Sequence, residues 1–327
     1  MKTFLLRRLI ILLPLLVLIS FTAFVIIELP PGSYLDTYIS NLRQQGHDVS
    51  RAQIEALERR YGLDKPFHIR YFTWFSNFLR GDMGYSMTQN KPVNMVVRER
   101  IGFSIMIAIV TILFEFIVAV PIGIYSSIKK HSFADHSLTF LGFLGLSIPN
   151  FMLALILMYV FYSFFGMNVT GLVSRDLLGE PWNLTKILDA LSNIWVVVIV
   201  VGTAGTAGLI RVLRGQMLDE LNKEYIQAAR SKGLSEMMVV LKHALKVAIN
   251  PLISTIGWLL PRIISGSVIA SIVLGIPALG PAMLNSLLEQ DMYLAGSILF
   301  IQAIMVVIGT IISDVLLAMI DPRIRYD

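Results

Sequence analysis

The chain has 327 residues, a formal charge of +5, 55% apolar residues and only 15% charged residues, against about 25% charged in ordinary soluble domains. The charges gather in a few segments and leave uncharged blocks between them, which excludes a single soluble domain and points to an all-α polytopic membrane protein. The absence of cysteine excludes a disulfide framework and any thiolate-ligated metal.

Six apolar blocks have the length of a spanning helix: 9–27, 101–128, 138–167, 191–210, 252–274 and 292–320. The first follows Lys2, Arg7 and Arg8 and so resembles a secretory signal. It is too long for the apolar core of one, and bulky Val25–Ile27 stand where a cleavage site needs small residues, so an uncleaved first span is expected. Pro14, Pro121, Pro149 and Pro261 interrupt the blocks. In lipid such breaks persist where neighbouring helices satisfy the freed backbone groups, which implies a packed bundle. Residues 1–28 are read as the cytoplasmic N-terminus and span 1, and 29–100 as a sizeable extracytoplasmic loop domain between spans 1 and 2. The remaining 101–327 form a five-span core with a cytoplasmic polar loop at about 211–251.

The outer segment is too long for a mere connector. Ser50 and Gln53 form a capping-box pattern ahead of Ile54 and Leu57, with Gly62 as the stop. A second helix is expected over 66–79, where Phe67, Tyr71, Trp74, Phe75 and Phe78 recur at helical spacing. That aromatic face needs a partner. It suits a small cap packed on the bundle, a docking platform for a delivery protein, or both.

Three ionisable residues fall inside apolar blocks: Glu115, Arg262 and Asp314. Counting 1.5 Å per helical residue from the cytoplasmic end of each span places Glu115 roughly 16 Å deep, Arg262 about 15 Å and Asp314 about 9 Å. A lone charge at such depth costs on the order of 2.5–3.5 kcal/mol by insertion scales, so a Glu115–Arg262 pair that fixes span packing is expected.

Between the fourth and fifth blocks lies EYIQAARSKGLSEMMVVLKHALKVAINP, at 224–251, polar and basic amid apolar surroundings. Its first part has a helical pattern with Ala228 and Ala229 as a small-residue patch. Gly233 is a natural helix stop, and Ser235 an N-cap with Glu236 in the next first turn. The second helix carries Met237, Val240, Leu241 and Leu245 toward Pro251. On pattern alone, such a helix–turn–helix also suits amphipathic helices lying on anionic lipid headgroups.

Basic residues set the orientation. With the N-terminus inside, inner segments hold fourteen Lys and Arg while the short outer loops hold two, Arg175 and Lys186, so both termini are expected in the cytoplasm. His47, His68, His131, His136 and His243 all fall in expected loops and show no metal-binding spacing, so neither a metal site nor catalytic residues are expected. An ion-coupled secondary transporter remains the alternative of a different class, with the three intramembrane charges as its candidates.

Residues 227–233 and 242–251 resemble the cytoplasmic "EAA" loop of importer permeases in ATP-binding-cassette (ABC) systems. Gln227, Ala228 and Ala229 stand for Glu-Ala-Ala, Gly233 falls at the required spacing, and His243 replaces the usual Ile. QAARSKGL and KHALKVAINP are similar to the dipeptide, oligopeptide and nickel branch, as are YGLDKPFHIRYFTWFSNFLRGDMGYSM, GIPALGPAM and the terminal IDPRIRYD. Ser271 stands where peptide members usually carry Glu, and the region around it is similar to oligosaccharide-importing relatives.

The resemblance implies a permease subunit in the cytoplasmic (inner) membrane of a prokaryote, forming half of a pathway for peptides, or alternatively for oligosaccharides or nickel chelates. The chain has no phosphate-cradling G-x-x-x-x-G-K-[ST] loop, so no cofactor is expected in it and ATP-Mg belongs to partner subunits. Implied partners are a second homologous permease, two ABC ATPases, an extracytoplasmic solute-binding protein and membrane lipids, with no nucleic acid. The resemblance assigns ATPase coupling to Glu224, Tyr225, Gln227, Ala228, Ala229, Arg230, Gly233, Leu234 and His243, and an extracytoplasmic turn to Gly275, Pro277 and Gly280.

Overall fold

The computed structural model describes residues 2–29, 35, 39, 50–61 and 64–320, which are predominantly helical. The expected stop at Gly62, the basic Arg323 and Arg325 and nearly all of the C-terminal motif lie outside them. Among the described residues, five helices are long and apolar enough to cross a membrane: Ile10–Glu28, Val93–Ile128, Trp195–Leu221, Glu236–Ser254 and Met292–Met319. A sixth span is made if a helix pair bent by 101° counts as one.

That pair is where the third expected span, 138–167, departs from a single rod. Helix α5 (Phe133–Ser147) ends before Pro149 and α6 (Asn150–Phe165) begins after it. A proline crowds the residue before it out of the helical region, and Ile148 is accordingly extended at φ −86°, ψ 120°. The expected fifth span, 252–274, is also divided, into α12 (Asn250–Ser254), α13 (Ile256–Gly266) and α14 (Val268–Val273). Helix α8 (Trp195–Leu221) runs eleven residues beyond the expected end at 210, carrying Arg211 and Arg214. Long basic side chains permit this because their stems lie along apolar surface while the charge reaches toward water. A short helix that apolar block-counting misses, α7 (Leu184–Asn193), is N-capped by Asn183, whose Oδ1 accepts from the Lys186 amide at 2.8 Å.

The chain divides into two compact units. One comprises Leu6–Ser104 and Pro277–Ile304. It holds most of α1 (Lys2–Glu28), then α2 (Arg51–Tyr61), α3 (Phe67–Leu79), a hairpin of β1 (Tyr85–Ser86) and β2 (Lys91–Pro92), the start of α4 (Val93–Ile128), α15 (Leu279–Leu288) and the first turns of α16 (Met292–Ile320). The aromatic face of α3 is consumed inside this unit. Tyr71 and Trp74 are buried against Phe24 and Ile27 of α1 and against Met292, Ala295 and Phe300 of α16. The Phe78 and Phe300 rings meet edge to face at 4.9 Å, and Trp74 and Phe300 at 6.1 Å. Arg70 pairs with Glu28 at 2.6 Å. Of the two readings for that face, packing on the spans accounts for its geometry.

A buried acid that the sequence reading passed over, Asp291, ties the hairpin to this unit. Its Oδ2 accepts from the Ser86 hydroxyl at 2.6 Å and from the amide and hydroxyl of Thr88 at 3.0 Å, while its Oδ1 accepts from the Leu294 amide at 3.2 Å. Four donors compensate the desolvated carboxylate, so one side chain fixes both the hairpin and the entry to α16.

The other unit comprises Ile105–Ile276 with Met305 onward and the first five residues. Its core includes Ala119 of α4, Leu209, Leu213 and Met217 of α8, and Ala248 and Leu252 near α12. Glycine permits close helix approach here. A Cβ on Gly257 would come within 3.0 Å of the Thr310 backbone, and one on Gly309 within 3.0 Å of the Gly257 carbonyl. Small residues serve this purpose where apolar lipid supplies no hydrophobic drive between helices.

Candidate functional site

The polar stretch after α8 folds as α9 (Glu224–Ser231), a glycine turn, α10 (Glu236–Met238), a π-helical stretch Val239–Ala244 and α11 (Leu245–Ala248). Gly233 has φ +77°, and its amide donates to the Arg230 carbonyl at 2.9 Å. Only glycine takes this left-handed conformation without steric cost. Ser235 is extended, as an N-cap must be, but its side chain caps nothing. The turn is held instead by an ion pair across it. Arg230 donates to Glu236 from Nε at 3.0 Å and from Nη2 at 2.7 Å. The spacing of six across a glycine was the available signal.

The two alanines do not form one patch. Successive helical residues diverge by about 100°, and Ala229 is buried with Ile226 in the core of the unit while Ala228 is exposed. The outward face therefore carries Glu224, Tyr225, Gln227, Ala228 and Arg230. Tyr225 donates to the Glu220 carboxylate. Lost solvation, reinforced by that bond, pushes its phenol up to about 12, so it stays a donor at any working pH.

In the second helix the buried positions are Val239, Val240, Ala244 and Ala248, whereas Met237 and Leu241 are exposed. The π-helical turn, which the sequence did not signal, shifts the inward stripe by widening one turn, and such turns cluster at functional sites. Leu234 and His243 are half-buried beside it. The helix continues through the expected loop boundary at 251, since Glu236–Ser254 is itself long and apolar enough to span. The loop is thus built into the core: one face of α9 packs beside the π-helical stretch, and the opposite face is open.

The structure brings the two deeper intramembrane charges together. Arg262 Nη2 lies 3.1 Å and 3.2 Å from the two Glu115 carboxylate oxygens. Glu115 is buried, whereas the Arg262 side chain is 52% exposed. The pair is seated on bare backbone, because a Cβ on Gly205 would stand 1.7 Å from Glu115 Oε1 and 2.8 Å from Arg262 Nη2. The small-residue run VGTAGTAG at 201–208 was the signal for this seat. Asp314 is half-buried on α16.

At the end of α14, Gly275 takes φ +67°. The Ile276 amide donates to the Ser271 carbonyl at 2.8 Å and the Gly275 amide to the Ile272 carbonyl at 3.1 Å, which completes a Schellman stop. In the other unit, Ala278 is extended after Pro277, Gly280 is buried in the first turn of α15, and the Leu279 amide donates to Ser104 Oγ at 2.8 Å. Ser271 is fully buried.

Residues 119–326 match the family described as "Binding-protein-dependent transport system inner membrane component", and residues 1–108 match the N-terminal family of such membrane components. An oligopeptide transport system permease protein, AppB of Bacillus subtilis, is 33% identical over the whole of both chains. A putative peptide permease protein of Brucella ovis is 30% identical over 99% of each, and a dipeptide transport system permease protein, DppB of Alkalihalophilus pseudofirmus, 28% identical over all of each. The chain belongs to the binding-protein-dependent transport system inner membrane component family, as a multi-pass permease subunit of an ABC importer.

Proposed function

We propose that the chain forms half of the translocation pathway of a prokaryotic peptide importer and is moved by ATP hydrolysed on separate subunits. The carrying observation is the ordered helix–glycine–helix at 224–248, with its inner face committed to the core and its outer face open. A segment braced in this way transmits a push as a rigid body, unlike a tether. Each of two ABC ATPases, holding ATP-Mg, receives one such loop: one from this chain and one from a second homologous permease. Glu224, Tyr225, Gln227, Ala228 and Arg230 form the docking face, and Gly233 with Leu234 and His243 sets the angle of the second helix. An extracytoplasmic binding protein delivers the solute, and both termini lie in the cytoplasm. The names of the relatives support peptide as the cargo.

Serine at 271 favours oligosaccharide as the second reading, because it leaves a buried hydroxyl where the resemblance places an acid. Secondary transport is disfavoured, since Glu115 and Arg262 already neutralise each other. Uptake by cells lacking and re-expressing the chain tests the cargo. Re-expression should restore uptake of labelled oligopeptide. Restoration of oligosaccharide or nickel-chelate uptake alone would contradict the peptide reading.

A further inference from the structure

A cavity of about 500 Å³ lies between α5 and α8, within one unit of the fold. Its chemistry changes along its length. At one end stand His131, His136, Asp135, Arg211 and Arg214, with the two imidazole rings 6.4 Å apart. At the other stand Gly142, Phe143, Leu146 and Ala207. Asp135 to Leu146 spans roughly 16 Å of helix.

The polar end carries one excess cation. Asp135 is buried and engaged bidentately by Arg214 at 2.7 Å and 2.9 Å, and it also accepts from the His131 amide at 3.0 Å. That acid is therefore spent on Arg214, while Arg211 makes no ion pair among the described residues. Lys129 and Lys130 immediately precede this end in the chain. The apolar end has room at Gly142, where a Cβ would meet only Ala207, at 3.6 Å or more.

We propose that this cavity binds one anionic phospholipid, its phosphate at Arg211 and an acyl chain along Gly142, Phe143 and Leu146. A free phosphate or nucleotide would leave the apolar end unfilled, and a neutral lipid would leave the Arg211 charge uncompensated. An anionic amphiphile satisfies both ends. A basic pocket between spans at the cytoplasmic face has the chemistry such headgroups require. The site does not depend on which solute is carried.

Native mass spectrometry of the full-length chain, purified with its copurifying subunits, tests this. Phosphatidylglycerol and phosphatidylcholine with identical acyl chains serve as probes, and inorganic phosphate as competitor. The wild-type protein should retain phosphatidylglycerol about fivefold over phosphatidylcholine. Arg211→Gln should abolish that preference, and Gly142→Leu should reduce retention of both lipids by filling the apolar end. Equal retention of the two lipids by the wild type would overturn the proposal, as would an unchanged preference in Arg211→Gln. Displacement of the lipid by inorganic phosphate would also overturn it, by revealing a simple anion site.

Discussion

Replacing Glu115 or Arg262 singly by leucine should sharply reduce the amount of assembled transporter, and replacing both should recover much of the loss. Each single change strands the other charge in apolar surroundings, at a cost on the order of 3 kcal/mol. The double change removes both charges. The 3.1 Å contact and the seat at Gly205 tie the two charges to each other and to the backbone of α8. A double-mutant cycle on the yield and thermal stability of the assembled complex measures it. Additive losses would reject the pair as a structural element. Normal assembly of Arg262→Leu with an altered solute preference would instead assign the arginine to the solute pathway, a reading to which its half-exposed side chain lends weight.

The second large effect is expected at Gly233. Its φ of +77° costs a β-branched residue about 1–2 kcal/mol. No neighbour lies within 4 Å of an added Cβ, so the penalty is conformational and not a clash. Gly233→Val should therefore leave the spans inserted but tilt α9 against α10, strain the Arg230–Glu236 pair and lose solute-stimulated ATP hydrolysis. Gly233→Asn should retain most of it, because asparagine tolerates the left-handed region. Equal stimulation in the valine variant and the wild type would contradict a role for the turn in coupling.

The features legible in the sequence were those governed by local chemistry. Apolar length located four of the six expected blocks as single spanning helices, the glycine gave the turn, and the burial cost of lone charges gave the Glu115–Arg262 contact. Features that depend on tertiary packing were not legible. The 101° break at Pro149 was visible as a proline but not as an angle, since bundle contacts decide whether such a helix kinks or divides. Composition placed Ala228 and Ala229 together, and the helical period separated them once Ile226 had chosen the inward face. The π-helical turn left no mark in the apolar pattern, because its stripe is regular only after the turn widens. Asp291 carries no local sign of its role, since its donors Ser86 and Thr88 lie some two hundred residues away.

The open face of α9 is expected to meet the ATPase on the cytoplasmic side. The chain has no native cysteine, so single cysteines can be introduced and labelled with a photo-crosslinker in membranes holding the complete transporter. A label at Ala228 should attach to the ATPase subunit. Labels at buried Ala229 and at Gln89 between β1 and β2 should not, and Gln89 alone should be reached by an impermeant thiol reagent from outside. ATPase adducts at Gln89, or none at Ala228 in an actively transporting complex, would contradict the account.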